Sequence, residues 1–334
     1  MTSQDNAQKI QNIQNIVLSV KTEESRLRDK YSFLKKQDTI GLCILALSLS
    51  GMIISACLYY YAFIPVWLCI IITAIFASIS HELEHDLIHK LYFRNNAFMH
   101  NFMMCTVWLM RPSTINPWYR RKIHLLHHKT SGTEQDLEER LVGNGIANIF
   151  VRFIVMFDGL LGLLLQRKRL NKEVRFFKFL TVFNAGFPLT IFYYIFGYGF
   201  LLFHGINAFM PDDYNYPNFL HSFVELSNLI MVTLIAPNFL RSGCLNLVTS
   251  YLHYYGSVDS VLKQTQVFKG LFIWPFNLFT FNFAGTHAIH HFVVQQPFYL
   301  RQMLARTAHK VMRENGVRFN DFSTLTQANR YRAL

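Results

Sequence analysis

Apolar residues in this chain are gathered into long uncharged runs, with polar and basic residues in the stretches between them. The runs from about Ile40 to Tyr60, Val66 to Ser80, Phe179 to Leu202 and Phe219 to Ala236 approach or exceed the ~20 residues that cross a ~30 Å hydrocarbon layer. Each is therefore expected to be a membrane-spanning helix. The first two should form a hairpin around Pro65, and the fourth should continue helically towards His253. Phe98 to Met110 is too short to span comfortably and is expected to dip or pack. Gly145 to Leu165 carries Arg152 and Asp158 and is expected to lie at the interface. Val267 to Phe283, aromatic and interrupted by Pro275, reads as a re-entrant or surface segment whose rings serve packing or the membrane interface. Before the first span, Ile10, Ile13, Ile16, Val17 and Val20 recur at helical spacing, which predicts an amphipathic helix near the membrane surface.

The expected fold is thus an all-α integral membrane protein of about four spans. Its parts are an amphipathic segment at 1–38, a membrane domain at 39–294 and a basic soluble tail at 295–334. Composition supports this over a soluble reading, since 51% of residues are hydrophobic and Phe alone occurs 32 times. The net charge of +12 raises nucleic acid as a partner, but the basic residues flank apolar runs instead of forming one patch, so none is expected. Arg167, Lys168, Arg169, Lys172, Arg175 and Lys178 precede the third span, whereas the loop from His204 to Ser222 has no Lys or Arg and contains Asp212 and Asp213. By the positive-inside rule, the termini and the histidine-bearing span ends face the cytoplasm in a helical cap, in contact with anionic membrane lipids. The start of the chain lacks the pattern of a cleavable signal peptide. The five cysteines have no paired spacing, which excludes a disulfide or zinc-ribbon framework.

Eight of the fourteen histidines lie in three short boxes: His81 and His85; His124, His127 and His128; His287, His290 and His291. Neutral imidazole is a good ligand for iron, zinc or copper, and histidines four apart on a helix point the same way about 6 Å apart along the axis. In each His-x-x-His-His box the first and second histidines lie one turn apart, and the adjacent third points about 100° away, so one box can serve two metals. Eight ligands are too many for one ion and suit a pair, each with three or more imidazoles and an open position. His89 continues the first spacing, yet it lies ~12 Å along the helix from His81 and ~80° round from it, so it is expected behind the ligands. Glu82, Asp86 and Asp136 are candidates to orient ligand rings through their second nitrogen. The isolated His100, His204, His221 and His309 read as structural.

This order of boxes on the ends of four spans resembles the membrane fatty acid desaturase and hydroxylase superfamily. The likeness extends to His127-His128-Lys129-Thr130-Ser131-Gly132-Thr133-Glu134-Gln135-Asp136, similar to the His-His-Lys-x-Ser-x-Thr-x-x-Asp run of acyl desaturases, and departs at Leu137, where those enzymes usually have proline. Thr249-Ser250-Tyr251-Leu252-His253-Tyr254-Tyr255-Gly256 is similar to the family's Asn-Ser-x-x-His-x-x-Gly pattern, with Thr249 replacing the asparagine that holds a metal-bound water. The resemblance implies that His253 is a ninth ligand and that Asp136 orients a ligand. It further implies two non-haem irons, O2 as co-substrate and oxidation of a fatty acyl or alkyl chain. Desaturation is expected, with hydroxylation or loss of the carboxyl group to leave a terminal alkene as alternatives. A separate donor of ferredoxin, rubredoxin or cytochrome b5 type would supply electrons, and a multi-pass bacterial inner-membrane protein is expected. One rival reads His81-Glu82-x-x-His85 as a zinc protease motif with Glu82 as base and Asp158 as third ligand, which leaves both later boxes unexplained. Metal transport would need ionisable ligands inside the spans.

Overall fold

The computed structural model describes residues 3–210, 217–256 and 258–332. Asp212 and Asp213, which support the outside-loop expectation, lie outside the described residues. Among the described residues the chain is all-α, with isolated bridges but no strand. Four helices are long and apolar enough to cross a membrane: Gln37–Tyr60, Val66–Ile88, Leu189–Asn207 and Asn218–Leu252. Side chains such as Leu47, Ile53, Leu201 and Phe223 on these helices are exposed, the surface expected of helices that face lipid.

The second span does not stop at Ser80. It continues unbroken to Ile88, so its last turns carry the first histidine box. The third span begins later than the apolar run: Phe179–Ala185 is a separate short helix, and Pro188, which lacks an N–H, caps the start of Leu189–Asn207. The fourth span runs past Ala236 to Leu252, accommodating Pro237 through a π turn at Met231–Ile235. Within the first hairpin Thr73 Oγ1 donates to Ser55 Oγ at 3.2 Å, and a Cβ on Gly51 would stand 2.4 Å from the Phe76 ring. Small and hydroxyl residues thus bring the two helices close together.

Tertiary packing adds to two expectations. The N-terminal helix Ser3–Lys30 is amphipathic, but its buried Ile16 and Val20 pack on Leu300, Leu304, Ala308 and Met312 of the C-terminal helix Phe298–Glu314. The inner part of the stripe is covered by the chain's own tail, itself an amphipathic helix, while Ile10 stays exposed. Gly145 to Leu165 forms two helices, Ile149–Phe157 and Gly159–Glu173, which meet at Asp158. Arg152 is fully buried: it donates to the carbonyls of Leu325 at 3.1 Å and Ser250 at 3.2 Å, pinning the C-terminal segment. Phe98 to Met110 forms the packed helix Ala97–Leu109, whereas Val267 to Phe283 is mainly turns around the short helix Trp274–Leu278.

Candidate metal centre

Each histidine box ends a helix. Asn116 accepts a hydrogen bond from Tyr119 N at 2.9 Å and caps Pro117–Thr130, whose last two turns hold the second box. Phe283–Phe292 carries the third, and the first closes the second span. His253 stands where the fourth span gives way to extended backbone, at φ −99° and ψ 135°.

Nine imidazoles converge in two groups. Ring nitrogens of His85, His89, His124 and His290 lie within 4.8 Å of one another, as do those of His127, His253, His287 and His291. His128 joins the first group: its Nε2 is 3.0 Å from that of His290, 3.2 Å from that of His124 and 3.3 Å from that of His89. Within each box the histidines four apart stay together, and the middle one crosses to the other group. His124 and His128 face the first group and His127 the second, while His287 and His291 face the second and His290 the first. This revises the expected pairing of the first and second histidines. Four residues advance a helix about 40° beyond a full turn, whereas three fall about 60° short, so the fourth-residue partner is the better aligned.

The first box is revised in the same sense. His85 pairs with His89, their ring centroids 5.3 Å apart, and His81 is left outside both groups. The guanidinium groups of Arg111 and Arg120 lie 3.4 and 3.3 Å from His81 Nδ1, and both also bond Glu84. Spacing fixes only that neighbours four apart share a face, and 81/85 and 85/89 satisfy it equally. The surroundings decide, because two cations already occupy the His81 side.

The outward nitrogens of several rings are held by acceptors. His124 Nδ1 is 2.7 Å from Glu138, and His127 Nδ1 is 2.9 Å from Asp136. His253 Nδ1 is 3.1 Å from the Thr249 carbonyl and 3.3 Å from Glu139. Glu82 and Asp86 touch no histidine directly. They hold Arg301 at 3.2 and 3.3 Å, and the Arg301 guanidinium lies 2.9 Å from His290 Nδ1. The sequence does not single out Glu138, Glu139 or Arg301 as neighbours of the rings. The acidic run from Asp136 to Glu139 beside a box carried a signal for the first two, but Arg301 looked like one more basic residue of the tail. The isolated histidines have structural bonds: His100 Nδ1 lies 3.1 Å from the Tyr92 carbonyl, His204 Nε2 3.2 Å from Asn228, and His309 Nε2 2.5 Å from the Gly285 carbonyl.

Burial keeps most of these rings neutral. It presses His89 and His128 down to about 2 and His253 to about 3. Burial opposes charge on His127 too, but the adjacent Asp136 carboxylate outweighs it and raises the ring to about 10.

The donor set fits metal ions. A neutral ring whose Nδ1–H is given to an acceptor presents a bare lone pair at Nε2. The Nε2 atoms of His124 and His89 face each other at 3.0 Å, and those of His287 and His253 at 3.1 Å. Neighbouring ligands at right angles, each about 2.1 Å from one ion, lie about 3.0 Å apart. With fewer protons than facing nitrogens, a cation is the partner that satisfies them.

A small cavity of about 70 Å³ touches both groups, through His85 and His124 on one side and His127 and His287 on the other. Val142 and Asn246 also line a larger apolar cavity of about 400 Å³, bordered by Val155, Leu163 and Ile191. A third, of about 300 Å³, shares Tyr194 and Tyr198 with it.

Four apolar helices and two buried imidazole clusters, drawn from the ends of two of them and from two shorter helices, define a membrane protein of the histidine-box class. The family model described as fatty acid desaturase matches residues 61–323, and the chain belongs to that family. It is a desaturase-like oxidoreductase. No curated protein matches the sequence.

Proposed function

We propose that the chain is an O2-dependent lipid oxidoreductase that removes hydrogen from an unactivated C–H bond of an alkyl chain and forms a double bond. The observation supporting this is the convergence of nine imidazoles on two points beside a small cavity that shares Val142 and Asn246 with a larger apolar one. His85, His89, His124, His128 and His290 would hold one iron, and His127, His253, His287 and His291 the other; two such ions supply O2 activation and redox capacity. Asp136 and Glu138 keep protons on the outer nitrogens of His127 and His124, so the inner nitrogens stay free to bind. The apolar cavity would hold the chain straight and keep water from the reacting carbon.

Electrons would come from a separate ferredoxin, rubredoxin or cytochrome b5 type of protein, docking on a cytoplasm-facing surface of an inner membrane. For the protease reading, Asp158 is already engaged: it caps Leu161 N at 2.8 Å and bonds the Tyr198 hydroxyl, while Glu82 is paired with Arg301. The test is metal analysis of purified protein together with mass spectrometry of lipids and volatile hydrocarbons from expressing cells. About two irons per chain and a new unsaturated product are expected. A single zinc and peptide cleavage would overturn the proposal.

A further inference from the structure

Three arginines beside His81 have no part in the proposed iron ligation. Arg111, Arg120 and Arg241 gather about one carboxylate, Glu84, which accepts from both Arg111 and Arg120. Arg111 and Arg241 are 0% and 1% exposed. Among the described residues Arg241 has no carboxylate partner: it donates to the Ser113 hydroxyl at 3.2 Å and the Ser242 hydroxyl at 3.0 Å, and its Nε and Nη1 find no acceptor. A buried cation without a counter-charge is strongly unfavourable, so such groups are normally paired. Here three guanidinium groups face one carboxylate.

The cluster adjoins both cavities, through Arg120 at the small one and through Ser113, a partner of Arg241, at the large one. Arg241, Leu245 and Thr249 are four apart on one face of the fourth span, and the latter two line the small cavity between the histidine groups. Arg120 and His81 line it as well. Ser113, bonded to Arg241, lines the large apolar cavity. An anion here would therefore have imidazoles on one side and an alkyl-sized space on the other.

Building on the proposed alkyl oxidation, we propose that this cluster binds the carboxylate of a free long-chain fatty acid, whose tail fills the apolar cavity. The free acid, not an ester or thioester, is then the substrate. An ester or thioester carbonyl carries no charge and would leave Arg241 unpaired. Anchored in this way, the carbons next to the carboxylate are those nearest the histidines.

The test is equilibrium binding to the full chain in lipid nanodiscs at pH 8, using radiolabelled palmitate and, separately, radiolabelled methyl palmitate. The wild type should bind the acid at least tenfold more tightly than the ester. Arg241→Gln should lose that preference by weakening acid binding alone, and Arg241→Lys should recover part of it. Equal affinity of the wild type for acid and ester would overturn the proposal while leaving alkyl oxidation standing, as would unchanged acid binding by Arg241→Gln. Binding of neither ligand would overturn both readings. Should the variants fail to fold, the comparison of acid and ester on the wild type decides alone.

Discussion

His89 and His81 show how one residue's surroundings settle what spacing leaves open. Both lie four from His85, but His89 meets His124 and His128 at 3.0 and 3.3 Å, whereas His81 meets two arginines. His89→Ala should therefore lose about one of the two metals and all turnover, while His81→Ala should keep both metals; elemental analysis of the purified variants distinguishes them. Asp136 bonds His127 Nδ1. Asp136→Asn should weaken metal binding by roughly 10–100-fold, the usual consequence of losing a ligand's orienting carboxylate, as read by chelator competition. An unchanged affinity would show that the 2.9 Å contact does not orient the ring.

At the scale of elements, the terminal helices brace the third box. Ala288 and Ile289 on the box helix share a buried cluster with Ile16 and Val20 of the N-terminal helix and Leu304 of the C-terminal one. Leu304→Ala should cost about 2–5 kcal/mol by opening a cavity there, seen as a lower thermal midpoint in detergent. Metal retention should fall with it, because Arg301 on the same helix touches His290. The N-terminal helix is visible as a stripe in the sequence, whereas the C-terminal one reads only as a basic tail. That they cover each other is not visible there, because an apolar stripe does not distinguish a lipid surface from another helix.

At the scale of the whole molecule, the site makes stability depend on pH. His89, His128 and His253 are held near 2, 2 and 3 in the metal-free fold, against about 6.5 when unfolded. Below pH 6.5 the unfolded chain takes up protons that the folded one refuses, so stability falls as pH drops from about 6.5 towards 3. His127 has the opposite sign. Raised to about 10, it contributes stability that is present below about 6.5 and lost as pH rises through about 10. Melting of metal-free protein should thus show a lower midpoint at pH 5 than at pH 7. Metal uptake at pH 7 should release the His127 proton, detectable by calorimetry in buffers of different ionisation enthalpy.

By itself the sequence determined the four spans, the three boxes and the family, because these rest on local quantities: apolar run length, helical period and the spacing of identical ligands. It also located eight of the nine converging histidines, including His253 through a short surrounding pattern. Only the tertiary structure decided that His89 displaces His81 and that the middle histidine of each triplet crosses between groups. It also revealed Glu138, Glu139 and Arg301 behind the rings and left Arg241 buried without a carboxylate bonded to it. Each of these is a matter of which side chain from a distant part of the chain arrives opposite. Spacing along one helix fixes direction but not what lies in that direction.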